Sequence, residues 1–195
     1  MPKITRDSLM TLEAYAKARP EFRSKVMAHK KSRIVPLGAH ITLHFEDELT
    51  MRYQVQEMLR AERIFEEDGI QQELDAYNPL VPDGSNWKVT MMIEYPDVDE
   101  RRVKLAALKG VENRVWVQVA GHDKVYALAD EDLERESEEK TSSVHFMRFE
   151  LSPATVAAAK AGAAIGVGVD HPAYTASLDP LPEGVRASLA ADLAA

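Results

Sequence analysis

The sequence predicts an α+β fold: a single domain with a largely antiparallel sheet, helices packed against it and a helical N-terminal arm. Three observations carry this reading. Trp87, Val89, Met91, Ile93 and Tyr95 alternate with Lys88, Thr90 and Glu94, the period of a half-buried strand. Residues 115–120 and 124–128 flank Gly121-His122-Asp123 and read as a hairpin. Hairpins mixed with helices favour antiparallel pairing over strict βαβ alternation.

The N-terminus reads as a helix capped by Thr5 and carrying Leu9, Leu12 and Ala16 to Arg19. Pro20 then suits the first position of a second helix with Phe22, Val26 and His29 on one face, and Leu37-Gly38 closes this arm, residues 1–37. Ile41, Leu43 and Phe45 alternate with His40, Thr42 and His44 as a strand. A long helix over residues 48–68 ends at Gly69, and a shorter one over 70–77 is stopped by Asn78-Pro79. After the Trp87 strand, a charged helix spans 99–109. An acidic run covers 130–140, a strand 141–151, a Ser152-capped helix 152–161 and a strand 165–169. The tail from Pro182 is a small amphipathic helix. No repeat or low-complexity tract divides the chain, so residues 1–195 read as one domain.

The net charge is −8, from 32 acidic and 24 basic residues. That balance disfavours a general nucleic-acid or membrane-surface binder. The charge is uneven: residues 1–35 hold nine Lys/Arg and three Asp/Glu, so a basic arm sits on an acidic body. Such an arm meets an anionic partner or pairs with its own body. The chain has no cysteine, which removes disulfides, thiolate zinc sites, Cys-ligated iron–sulfur clusters and a Cys nucleophile. With no leader-like apolar stretch and no apolar run near the ~18–20 residues of a membrane span, a cytoplasmic location is expected.

Glu62 is the most informative residue of the expected long helix. On a helical wheel it falls inside the stripe of Met51, Val55, Met58 and Phe65, with Glu57 on a neighbouring flank. A carboxylate there must be paired, protonated, metal-bound or open to a cavity. Glu62, with Glu57, therefore lines a site as metal ligand or acid/base, or it bridges to an arginine of the arm. The Glu-x-x-His spacing of di-iron helices is absent. His40 and His44 share a strand face but lie about 13 Å apart, too far to share one ion. His145 and His171 join Glu62 as candidate metal ligands for iron, manganese or zinc if the fold brings the three together. His171 or Asp170 alternatively caps the helical turn expected after Pro172. His29, Lys30 and Arg33 are candidates for holding a phosphate or an acidic partner. No Walker loop, dinucleotide fingerprint or nucleophile elbow is present.

Several blocks together carry a family likeness. They are Tyr15, Arg19, Phe22-Arg23, His29-Lys30 and Arg33; Leu43-His44-Phe45-Glu46; the run YQVQEMLRAERIF from Tyr53 to Phe65; Glu73-Leu74-Asp75-Ala76-Tyr77-Asn78-Pro79-Leu80; and Lys140-Thr141-Ser142-Ser143-Val144-His145-Phe146. Across nearly the whole chain the sequence resembles the bacterial family catalogued as domain of unknown function 3501. The resemblance assigns no catalytic residue. It implies a gene neighbourhood with rubrerythrin and an iron–sulfur oxidoreductase subunit, hence a role near non-haem iron or peroxide metabolism.

Two readings of different class are open. The favoured one is an accessory protein that binds rubrerythrin-like or iron–sulfur oxidoreductase partners through the basic arm and an acidic surface at 130–139. The alternative is a metal- or small-ligand-dependent enzyme with Glu57, Glu62, His145 and His171 around a pocket.

Overall fold

In a computed structural model, which describes residues 3–131, 137 and 139–194, the chain is a single α+β domain built on two antiparallel sheets. A 3-10 turn at Arg6–Ser8 precedes α1 (Leu12–Lys30). The hairpin β1 (Ile34–Leu37) and β2 (Ile41–Glu46) leads into α2 (Glu48–Ala61), α3 (Glu67–Tyr77) and a 3-10 turn at Asn78–Leu80. Then come β3 (Asn86–Ile93), α4 (Val98–Ala107), β4 (Val115–Val119), β5 (Val125–Tyr126), β6 (Leu128–Ala129) and β7 (Val144–Glu150). The chain closes with α5 (Pro153–Lys160), β8 (Ile165–His171), β9 (Tyr174–Leu178) and α6 (Glu183–Ala190).

One sheet has the order β1-β2-β3-β7-β6 and the other β5-β4-β8-β9. Their inner faces meet in one core: Ile41, Leu43, Phe45, Trp87, Val89 and Met91 from the first, Val115, Val117, Ile165 and Val167 from the second. This is the alternation read from the sequence, with apolar residues facing the opposite sheet. Trp87 is fully buried and donates its indole N–H to the Leu189 carbonyl at 2.9 Å, tying α6 to this core. On the far side of the second sheet the Trp116 ring lies over Gly168, where an added Cβ would fall 2.4 Å from a ring carbon; only glycine fits that approach. A separate, smaller core of Leu9, Met51, Val55, Leu59, Ile70 and Leu74 holds the helical layer α1–α2–α3 together.

Several boundaries differ from the expected ones. The arm carries one helix, not two: α1 starts at Thr11, whose hydroxyl accepts from the Ala14 amide, and runs through Pro20. Pro20 and Ala16 are exposed, so the carbonyl that Pro20 cannot satisfy is left to water. The arm ends not as helix but as β1, the edge strand of the first sheet. The long helix stops at Ala61 rather than at Gly69, which lies inside α3. Arg63 takes the left-handed conformation (φ 55°), and the Ile64 amide reaches back to the Leu59 carbonyl at 2.9 Å. That is a Schellman ending built without glycine. Asp170 and His171 do not precede a helical turn; they end β8, and Pro172-Ala173 is the two-residue turn into β9. Of the acidic run, residues 132–136 and 138 lie outside the described residues, and with them most of the surface expected at 130–139.

α1 packs antiparallel on α2, and one polar clasp fixes them. Tyr15 Oη donates to Glu57 Oε1 at 2.6 Å, while Arg19 donates through Nε to Oε1 at 2.7 Å and through its terminal amine to Oε2 at 2.8 Å. The Arg19 hydrogen bonds hold Glu57 down from 4.5 to about 2. Because the folded value lies below the unfolded one, this clasp stabilises the fold above pH 4.5 and is lost as pH falls from there towards 2. Glu57→Gln is expected to cost about 1–2 kcal/mol at pH 7 and much less at pH 3, measured by urea unfolding. An equal cost at both pH values would contradict it.

Candidate functional site

The outer face of the five-stranded sheet turns away from the sheet–sheet core and carries the polar half of each alternating strand. Register places them in rows. Glu46 of β2 stands opposite Lys88 of β3, which stands opposite Arg148 of β7. In the next row His44, Thr90 and Phe146 are aligned. Cross-strand neighbours have Cβ atoms about 4.5–5.5 Å apart, so these side chains share one surface.

This surface is the floor of a cleft. α3 and the 3-10 turn after it rise beside the sheet, and a space of about 450 Å³ opens between Tyr77, Pro79 and Leu80 on the wall and Lys88, Phe146 and Arg148 on the floor. A second hollow of about 740 Å³ continues past Lys88 and Asp75 towards the N-terminal Lys3 to Arg6. Lys88 lines both.

Most charges here are already matched. Arg148 donates to both Glu131 oxygens, at 2.9 and 2.7 Å, and to Glu150 at 2.5 Å. Glu46, buried, accepts from the Thr50 hydroxyl at 2.6 Å and the Thr90 hydroxyl at 2.8 Å. Both oxygens are thus engaged, and neither pairs with Lys88. Lys88 itself is half-buried and makes no hydrogen bond or ion pair with any described residue. Burial, and next the Arg148 charge, bring its amine below the usual lysine range. His44 is likewise half-buried and without a hydrogen bond among the described residues, and burial lowers its affinity for a proton. A half-buried amine and an apolar wall therefore face one cavity.

The residues singled out from sequence lie elsewhere and are engaged. Glu62 is the exposed C-cap of α2, not part of the buried stripe, because the helix ends one residue before it; Phe65, placed in the same stripe, is 71% exposed. Glu57 belongs to the interhelical clasp. His145 is fully buried, with Nδ1 2.5 Å from Asp130 Oδ2 and Nε2 2.9 Å from the Thr141 hydroxyl. His171 donates from Nε2 to the Lys109 carbonyl at 3.0 Å and accepts the Ala173 amide at Nδ1, 3.1 Å, so it closes the β8–β9 turn. Glu62, His145 and His171 thus sit on α2, β7 and the far hairpin. Among the described residues no group of three or more His, Asp or Glu is placed to hold a metal ion.

Of the basic candidates, Lys30 lies 5.9 Å from the Tyr53 ring centre, and His29 Nε2 is 2.5 Å from Asp47 Oδ2. Arg33 is 2% exposed and cannot face a partner. Its guanidinium donates to the carbonyls of Phe45 and Glu46, to Ser188 Oγ and to both oxygens of Asp192. The outward face of α1 instead presents Arg23, Lys25 and Lys31, exposed and without an ion pair among the described residues.

Lys88 and His44 were visible in the sequence as the polar partners of alternating strands, but only strand register puts them on one sheet face.

Residues 3–193 match the family model described as "Protein of unknown function (DUF3501)". The fold is also that of a solved structure, described as a novel protein of unknown function from Burkholderia pseudomallei K96243. That protein is 56% identical, with a TM-score of 0.94 over 99% of this chain and 100% of the other. No curated protein is similar enough to be matched. No helix among the described residues is long and apolar enough to cross a membrane.

Proposed function

Since the chain belongs to the DUF3501 family of proteins of unknown function, we propose from its geometry that it is a small-molecule-binding protein whose ligand is an anion with an apolar body. The observation that carries this is Lys88: a half-buried amine with no partner among the described residues, on the floor of a cleft walled by Tyr77, Pro79 and Leu80. A desolvated cation without a counter-ion is costly, and a bound carboxylate or phosphate supplies the missing charge-assisted hydrogen bonds. Phe146 and the wall offer a surface for a flat or aliphatic body. Titration calorimetry with phenyl phosphate is expected to show one site per chain. Absence of heat at millimolar ligand, or many weak equivalent sites, would sink the reading.

A second reading is favoured by one observation, the unpaired Arg23, Lys25 and Lys31 along α1. In it the chain is an accessory protein that docks an acidic partner, of the rubrerythrin-like or iron–sulfur oxidoreductase class that its family resemblance implies. Reversing the three charges is then expected to abolish co-purification with that partner at low salt. Unchanged co-purification would remove α1 from the interface.

A further inference from the structure

We propose that Lys88 condenses reversibly with the aldehyde or ketone group of a small anionic ligand; this rests on the ligand-binding reading of the cleft. Four features of the site carry it. The amine faces a cavity large enough for a metabolite-sized molecule. No carboxylate forms an ion pair with it among the described residues. The one acid directly opposite on the sheet, Glu46, spends both oxygens on the hydroxyls of Thr50 and Thr90. The adjacent residue on the other side is a guanidinium, Arg148, which repels a proton on Lys88 and is anchored by Glu131 and Glu150. Desolvation and a neighbouring cation are the two means by which a lysine is made nucleophilic. The lowered proton affinity of Lys88 agrees, although Glu131, Asp83 and Glu150 act against it.

The step balances without an oxidant or a second substrate. The free amine's lone pair forms a bond to the carbonyl carbon, and the C=O π pair moves to oxygen. One proton passes from nitrogen to that oxygen, giving a carbinolamine. The nitrogen lone pair then expels the hydroxyl with the second N–H proton as water, leaving the imine; hydrolysis reverses each step. The wall of Tyr77, Pro79 and Leu80 retains the ligand's apolar part.

The probe is pyridoxal 5′-phosphate, an aromatic aldehyde with a phosphate, and its alcohol analogue pyridoxine 5′-phosphate, which cannot form an imine. The intact protein is mixed with substoichiometric aldehyde, reduced with borohydride and peptide-mapped. A lysine that titrates below an exposed one carries more free amine at neutral pH, so label is expected at Lys88 several-fold above any other lysine. Lys88→Arg keeps the charge and is expected to bind the alcohol but take no label. Label spread evenly over the surface lysines, with the alcohol still bound in the cleft, would overturn the imine and leave the ligand site standing. Even labelling with no binding of the alcohol would remove both. Should Lys88→Arg misfold, the wild-type peptide map together with wild-type binding of the alcohol decides between these outcomes.

Discussion

Arg33→Leu is expected to destabilise the protein by about 3–5 kcal/mol, the usual cost of breaking a buried ion pair from one side. Arg33 lies at the junction of β1, β2, α2 and α6. Its Nε lies 3.4 Å from Asp47 and its terminal amines span Asp192, and both acids are buried. Asp47 has other support: burial would raise its pKa, but Arg33, the Thr50 amide and His29 together bring it below its usual value. Asp192 has less, and burial pushes it up to about 6 despite Arg33. Leucine fills the volume but removes the guanidinium from both carboxylates, and Asp192 is left with the lesser support of the two. Urea unfolding measures the loss. Adding Asp192→Asn to Arg33→Leu is expected to recover part of it, since the orphaned charge is then gone; coupling in such networks runs at about 0.5–3 kcal/mol. A loss below about 1 kcal/mol in the single variant would mean that Arg33 is not holding this junction.

Lys88→Met is expected to leave stability nearly unchanged and to weaken phenyl phosphate binding by about 10- to 150-fold, the equivalent of the roughly 1.5–3 kcal/mol of a hydrogen bond to a charged group. Methionine keeps the half-buried stem and removes only the ammonium. Lys88→Arg, which retains the charge, should hold most of the affinity. Charge reversal at Arg23 and Lys25 should not alter it, because neither lines the cleft. If Lys88→Met binds as well as wild type while the α1 variant does not, the anion site is on α1.

The sheet was legible in the sequence where one physical signal decided it. β3 alternates from Trp87 to Ile93 because one face is core and the other turns away from it. α5 announces itself by Ser152, whose hydroxyl accepts the Thr155 amide. The end of α2 was not legible, since its left-handed residue is Arg63 rather than glycine and the apolar Ile64-Phe65 beyond it mimics another turn. That single misplacement put Glu62 in a buried stripe and made it a site candidate. α1 was split because Pro20 breaks most helices; here the freed carbonyl faces water. Pairing of distant strands is outside local pattern, and so was the alignment of Glu46, Lys88 and Arg148. The same limit hid the burial of Arg33, whose partner Asp192 lies at the opposite end of the chain.

A crystal structure of the protein grown with phenyl phosphate tests the central claim most directly. The account predicts the phosphate within hydrogen-bond distance of Lys88 Nζ and the ring against Phe146 or the wall of Tyr77, Pro79 and Leu80. A phosphate seated on Arg23, Lys25 and Lys31 of α1, with nothing at Lys88, would contradict it.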